Sequence, residues 1–335
     1  MKKLLLTLLV AMLALPGFAR DIEYSYEDQT LTYTVIDEEA KTVRTKDGVS
    51  NTAGNEVSGN LVIPSQIKDG DETYHVVAIG EYAFYRCSGL TSITIPEAVT
   101  SIGWYAFRGC SGLTSITIPE AVTSIRDSAF RGCSGLTSIT IPEAVTSIGD
   151  FAFGYCSGLT SITIPEAVTS IGAYAFASCS GLTSITIPEA VTSIGEGAFY
   201  GCSGLNTVIL PKMLETLEGG AFAECDKIRN VVYTATNPVE SFSSVFVDEV
   251  YHNATLYLPS GRIEAIRSVE PWKSFRNYSD EAYSGVENVI ADFNEDAPYE
   301  VFNLNGVKAA ESTVNLPAGI YIVRQGNNVK KITVK

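Results

Sequence analysis

The sequence predicts a β-rich solenoid: right-handed coils of 23 residues between N- and C-terminal caps, followed by a small all-β C-terminal module. Three observations predict it. A block of sixteen residues, CSGLTSITIPEAVTSI, stands at Cys87–Ile102 and recurs unchanged from Cys110, Cys133, Cys156 and Cys179. The seven cysteines, Cys87, Cys110, Cys133, Cys156, Cys179, Cys202 and Cys225, are spaced by 23 throughout, so the period outlasts the exact copies. Within each block Leu90, Ile93 and Ile95 alternate with Ser92 and Thr94, the period-two pattern of a half-buried strand. A fixed period in the twenties marks a stacked array whose single units cannot bury their apolar face alone.

Pro96 ends the strand, since it cannot donate to a ladder. A second apolar stretch, Val99 to Ile102, follows one turn later, and Ala106-Phe107 leads into Cys110. Stacking at roughly 4.8 Å per strand continues each apolar row into the next coil. Arrays of helical pairs need longer periods and a 3.6-residue repeat, which the Ser/Thr/Ile alternation lacks.

Leu90-x-x-Ile93-x-Ile95 has the spacing of the leucine-rich-repeat strand. The following Ile102-Gly103-Trp104-Tyr105-Ala106-Phe107-Arg108-Gly109-Cys110 resembles the BspA-like subclass of that family. The likeness covers roughly Leu61 to Tyr278. It implies leucine-rich-repeat-type coils and a surface protein that attaches to host matrix proteins and other bacteria.

Residues 1–19 read as a cleaved export signal: Lys2 and Lys3, the apolar run Leu4–Leu15, then Gly17-Phe18-Ala19. The run is shorter than the ~20 apolar residues a spanning helix needs, so no transmembrane segment is expected. Cleavage takes the formal charge from −15 to −15 − 2 = −17. Such acidity argues against nucleic acid and anionic membrane as partners. Residues 20–76 form the N-terminal cap, with Tyr24, Tyr26, Leu31, Tyr33 and Val35 alternating as an edge hairpin. Leu61-Val62-Ile63-Pro64 is an early form of the repeat strand, and Gly48 to Gly59 a loop.

The array is assigned to 77–235, its last copy drifting to Val208-Ile209-Leu210-Pro211 and Leu217. Residues 236–279 form the C-terminal cap. There Ala254–Pro259 supplies one more strand, and Gly261–Tyr278, with Ile263, Ile266, Trp272 and Phe275 on one stripe, is expected to be a closing helix with Trp272 as plug. In 280–335, Asn303-Leu304-Asn305-Gly306 signals a hairpin turn, and Ile320–Val323 and Lys331–Val334 read as strands joined through Gly326-Asn327-Asn328. Leu316–Val323 and the terminal Lys330–Lys335 resemble the C-terminal sorting domains of secreted Bacteroidota proteins. That resemblance implies export to the outer surface of a Gram-negative cell; the other reading is an end cap.

No catalytic constellation appears. His75 and His252 lie in opposite caps, each expected on a surface strand, and no metalloprotease, P-loop or nucleophile-elbow signature is present. Neither a cofactor nor an enzymatic activity is expected. Glu97, Glu120, Glu143, Glu166 and Glu189 form a one-carboxylate-per-coil stripe. That is a poor cation cage and is read as solvated surface. The cysteine ladder reads as buried thiols used as small core residues, because an odd count leaves one thiol over and no Cys-x-x-Cys pair offers a zinc site.

With sixteen of every 23 positions fixed, variation is confined to windows around each Ala-Phe pair. These carry the candidate ligand-binding residues Tyr82, Tyr85, Trp104, Tyr105, Arg108, Arg131, Phe151, Tyr155, Tyr174 and Tyr200. Aromatic and Arg side chains are the usual anchors of protein interfaces, and aromatic rings also stack on sugars. The plain alternative is that half of them pack against the neighbouring coil. A second candidate face is the uniform hydroxyl array of Ser92, Thr94 and their repeats. The expected partners are proteins or glycans on host or bacterial surfaces, the chain itself being a monomer; a non-binding spacer rod is the competing reading.

Overall fold

Each coil contributes one Phe, and in the computed structural model these side chains form one continuous stack. It runs from Phe84 through Phe107, Phe130, Phe153, Phe176, Phe199 and Phe222 to Phe246, with neighbouring ring centroids 5.1–5.5 Å apart. The structure describes residues 20–26, 29–48, 57–233, 235, 239 and 244–281, and the backbone of 300–303, 308–310, 319–325 and 328–334. The export signal, most of the Gly48–Gly59 loop and the turns at 304–307 and 326–327 lie outside the described residues.

Around the stack the coils bury the same positions: Leu90, Ile93, Ile95, Val99, Ile102, Ala106, Phe107 and their equivalents, except Ile162, which is partly buried. The cysteines complete the section. All seven are buried, and none is held in a disulfide. From Cys110 onward each Sγ donates to the Phe carbonyl of the preceding coil, as in Cys110 Sγ to Phe84 O at 3.0 Å and Cys156 Sγ to Phe130 O at 3.2 Å. A thiol is small enough for the space and gives a second donor to a carbonyl that already accepts the cysteine N–H of its own coil, as Phe84 O does from Cys87 N. Burial pushes the Cys179 and Cys225 thiols up to about 12 and those of Cys133, Cys156 and Cys202 well above the ordinary range.

Successive coils lie in strict register. Ser124, Ser147, Ser170 and Ser193 pair in parallel, as do Ile125, Ile148, Ile171 and Ile194, and Thr216–Leu217 closes this five-stranded sheet. The Leu-x-x-Ile-x-Ile face departs from expectation. It is a strand at Leu90–Thr94 and again from Ser184–Thr186 onward, but between them it shrinks to Ser115–Ile116 and the single bridges Thr117 to Thr140 and Thr140 to Thr163. There the inter-coil bonds stretch, Thr137 N to Thr114 O being 3.4 Å and Thr160 N to Thr137 O 3.3 Å. The coils are wider spaced in the same stretch: the rings from Phe107 to Phe176 stand 5.4–5.5 Å apart, against 5.1–5.2 Å from Phe176 to Phe246. Strands prefer ~4.8 Å, so the ladder loosens where the stacked rings stand furthest apart.

Six strands form the N-terminal cap: β1 (Asp21–Tyr26), β2 (Gln29–Asp37), β3 (Thr42–Thr45), β4 (Gly59–Val62), β5 (Gln66–Asp69) and β6 (Glu72–Ile79). β1 and β2 are the expected antiparallel hairpin, and the sheet runs β1-β2-β3-β6-β5. It hands over to the array twice. Ala78 and Ile79 of β6 pair in parallel with Ser101 and Ile102, and β4 pairs in parallel with Leu90–Thr94. Arg20 ties the cap together by donating to Glu38, Asp69 and the Tyr74 hydroxyl.

The C-terminal cap differs from the single closing helix read from the stripe. Ile263–Ile266 is one helical turn, Trp272–Ser274 a 3-10 turn and Asn277–Ser279 a strand. Pro271, which lacks a backbone N–H, separates the first two. A further short helix, Asp248–Asn253, carries His252, which is therefore exposed on a helix, whereas His75 lies on β6. Trp272 is fully buried, stacks on Tyr233 at 4.4 Å and donates Nε1–H to Val239 O at 2.8 Å, and Phe275 meets Phe246 edge-on. These contacts cover the last coil with aromatic surface in place of a further coil.

The chain divides into two units, 1–278 and 279–335. The second is a four-stranded antiparallel sheet in which Gly319–Gln325 and Asn328–Val334 pair as a hairpin and Glu300–Asn303 joins Lys308–Ala310 to it.

Candidate functional site

The windows around each Ala-Phe pair form a hydrogen-bonded corner of the coil. Three backbone bonds cross each step, for example Tyr82 N to Trp104 O, Phe84 N to Ala106 O and Arg86 N to Arg108 O, at 2.7–2.9 Å. Tight turns close within the coil, Tyr85 N to Tyr82 O and Cys87 N to Phe84 O. This double set of bonds imposes an unusual backbone. Five positions before each cysteine, φ is 54° to 67° in every coil, at Tyr82, Tyr105, Ser128, Phe151, Tyr174, Gly197 and Gly220. One position before each cysteine, φ is again 58° to 79°, at Arg86, Gly109, Gly132, Tyr155, Ser178, Gly201 and Glu224. Glycine is the residue suited to such a conformation; any other costs roughly 1–2 kcal/mol. In the first column the chain places an aromatic side chain in four of seven coils.

That column holds Tyr82 and Tyr105 face to face at 4.6 Å, and Phe151 and Tyr174 at 4.9 Å. Ser128, buried, interrupts the two pairs. Tyr85 meets Tyr82 edge-on at 5.7 Å and Tyr200 meets Tyr174 edge-on at 6.5 Å. Arg108 lies over Tyr85 and Tyr105, and Arg131 lies 4.3 Å from the Phe151 ring and 5.1 Å from that of Tyr155. Trp104 stands slightly apart, with the Arg126 guanidinium 5.4 Å from its ring. The corner therefore carries all ten residues singled out in the sequence, in two clusters of stacked rings bordered by guanidinium groups. Tyr82, Trp104, Tyr155 and Tyr200 are 40–49% exposed, while Tyr85, Tyr105, Phe151 and Tyr174 are half-buried against their neighbours.

Side chains that complete the corner were less visible in the sequence. Asp127 Oδ1 accepts the Asp150 backbone N–H and Asp150 Oδ1 that of Ala173, so these carboxylates cap the next coil. Glu196 accepts from the Tyr174 hydroxyl at 2.8 Å, which raises the pKa of that phenol. The hydroxyl face behaves differently. Thr94, Thr117, Thr140, Thr163 and Thr186 are exposed and identical in five successive coils, so nothing in that face distinguishes those five from one another. The five glutamates of the stripe are exposed. Among the described residues no group of three His, Cys, Asp or Glu is placed to hold a metal ion, and no helix is long and apolar enough to cross a membrane.

In-register coils with a Leu-x-x-Ile-x-Ile face and a Phe-stacked core define a leucine-rich-repeat solenoid, as the sequence predicts. The profile of the BspA type leucine-rich repeat region, in six copies, matches residues 66–182 and 123–249, and the chain belongs to that family. Among solved structures the chain is similar to a leucine-rich repeat protein from Bacteroides ovatus (22% identity over 76% of this chain and 88% of that one, TM-score 0.35). It is also similar to the T. pallidum leucine-rich repeat protein (23% identity, 75% and 96%, TM-score 0.42) and to the pneumococcal vaccine antigen PcpA (15% identity, 78% and 98%, TM-score 0.33). No curated protein matches it.

Proposed function

We propose that this chain is a secreted or cell-surface interaction protein, an adhesin that grips a protein, cell surface or glycan through its aromatic corner. The observation that carries this reading is the column at Tyr82, Tyr105, Phe151 and Tyr174. A rod selected only for stability has every reason to place glycine there, as it does at Gly197 and Gly220. Stacking one ring pair contributes about 0.5–1.5 kcal/mol, which offsets but does not exceed the backbone cost of two left-handed residues. Backbone strain held at a column of surface aromatic side chains, Tyr82 exposed and the other three half-buried, fits a binding surface. Membership of a repeat family, and the absence of any catalytic motif in the sequence, support a scaffold over an enzyme.

The test uses glycine, not alanine, at all four positions. Relief of φ strain balances the lost stacking and the entropy of four glycines, so the melting temperature is expected to stay within a few degrees. Adhesion to a panel of matrix proteins, glycans and cells is expected to fall to background. A plain spacer rod would show the same melting temperature and unchanged adhesion.

Surface delivery rests on the N-terminal export signal and on the resemblance of the C-terminal module to sorting domains. Deleting Gly285–Lys335 is expected to abolish surface display while leaving the repeat unit folded. Unchanged display by surface labelling would reduce the module to an end cap.

A further inference from the structure

The array has four basic side chains between Val77 and Pro211, namely Arg86, Arg108, Arg126 and Arg131. All four lie on the aromatic corner, in three successive coils. Six basic residues of the two caps, Arg20, Lys41, Arg44, Lys46, Arg267 and Lys273, each reach a carboxylate. Among the described residues none of the four arginines makes an ion pair. Each lies instead against a ring, with Arg86 5.2 Å from that of Tyr85 and the other three as described above. A guanidinium placed over a ring face meets no carboxylate there and can offer its N–H fork to a planar anion. Three acids of the same corner are engaged elsewhere, Asp127 and Asp150 with backbone N–H groups and Glu196 with Tyr174, while Glu81 holds the equivalent position in the first coil.

Arg126 adds an independent observation. Its column is glycine at Gly80, Gly103, Gly149, Gly172 and Gly195. A Cβ on Gly103, Gly149, Gly172 or Gly195 would come within 2.4–2.7 Å of the preceding coil. Between Gly80 and Gly195 the chain carries a side chain in this column only at Arg126, a bulky cation; the next departure is Glu218, in the drifting last copy. Arg126 is exposed and lies against Trp104.

We propose that the arginine-bearing end of the corner receives the carboxylates of an acidic polypeptide segment, each fork taking one Asp or Glu side chain beside the neighbouring aromatic rings. This rests on reading the corner as the binding face. A polypeptide suits it better than a sugar chain because Tyr82 and Tyr105 use faces on each other and Trp104 and Phe151 lie under guanidinium groups, which leaves few open ring faces for a pyranose. Arg, Tyr and Trp are also the residues that dominate protein interfaces.

The test titrates labelled poly-glutamate, heparin and an uncharged Gly/Ser peptide into the whole chain lacking residues 1–19. Poly-glutamate is expected to bind, more weakly as salt rises, and the Gly/Ser peptide not at all. R108Q/R131Q is expected to weaken poly-glutamate binding by at least about tenfold, and R108K/R131K by severalfold, because an ammonium lacks the planar fork. R126G is expected to weaken binding while melting no lower than the parent. Three results would overturn the proposal: no binding of poly-glutamate, heparin bound in its place, or Lys variants that bind as well as the parent. If the aromatic glycine variants lose adhesion while the arginine variants keep it, the corner stands as the binding face and the acidic partner falls.

Discussion

Raising the pH from 8 to about 11 is expected to unfold the array in one cooperative transition. The cause is the row of buried thiols. In the folded chain burial raises the pKa of Cys110, Cys133, Cys156, Cys179, Cys202 and Cys225, and those of Cys133 and Cys202 rise further because a neighbouring thiolate stands one coil away on either side. In the unfolded chain the same thiols ionise near about 8.5. Above that pH the unfolded state holds fewer protons than the folded one, so stability is intact below about pH 8 and falls as pH rises toward the folded values, about 12 for Cys179 and Cys225. Each thiol contributes up to about 1.4 kcal/mol per pH unit, so six together steepen the fall to about 8 kcal/mol per unit. A domain stable by about 5–15 kcal/mol is exhausted within two units. Urea midpoints measured from pH 7 to 11 check this, and C133A/C156A should remove about a third of the slope. A flat profile above pH 8.5 would mean the thiols are not buried as a ladder.

The parts of this fold that are legible in the sequence are those in which side-chain type reports burial. Ile102, Phe107 and Cys110 return every 23 residues because each coil meets the same neighbours, and the register follows at once. Trp272 was legible as a plug because it is a large apolar residue on the stripe that follows the last repeat strand. The closing helix was misread for a reason also visible in the sequence: the apolar stripe from Ile263 to Phe275 runs across Pro271. Asp248–Asn253 was missed because six residues with Val250 and Tyr251 buried are too few for a helical period to show. The thinning of the strand at Thr117 and Thr140 leaves no trace, since those coils have the same residues as Leu90–Thr94, where the strand is regular.

The candidate site was legible as a list and not as a geometry. A left-handed backbone position announces itself through glycine, as at Gly197 and Gly220; Tyr82, Tyr105, Phe151 and Tyr174 hide it. The bonds that enforce it run from backbone N–H to backbone C=O between coils, so no residue type marks them. Stacking partners follow only once those bonds are known. The column of Tyr82 and Tyr105 then becomes adjacent by construction, and Arg108 and Arg131 fall beside rings rather than beside carboxylates.

Deleting residues 133–155, one whole period, is expected to leave a folded rod shorter by about 5 Å, whereas deleting 133–144, half a period, is expected to abolish folding of the array. The whole-period deletion joins Gly132 to Cys156, and the block that follows is identical to the one removed. Phe130 then stacks on Phe176, Ser124 pairs with Ser170, and Gly172 replaces Gly149 beneath the Asp127 carboxylate. Every buried row stays continuous, so the cost is one inter-coil interface out of several. The half-period deletion sets Val145 where Cys133 stood. It shifts each apolar position of the distal coils against its neighbours, and the parallel pairs that hold Ile125 to Ile148 lose their register. Stability in a stacked array is a sum over nearest-neighbour interfaces, so one mismatched step uncouples the two halves and exposes both to solvent. Circular dichroism melts and small-angle scattering distinguish the outcomes, one transition and a shorter maximum dimension for the first variant, no cooperative transition across the array for the second. Equal behaviour of the two deletions would be incompatible with coils that lie directly on one another, and with the aromatic corner they build.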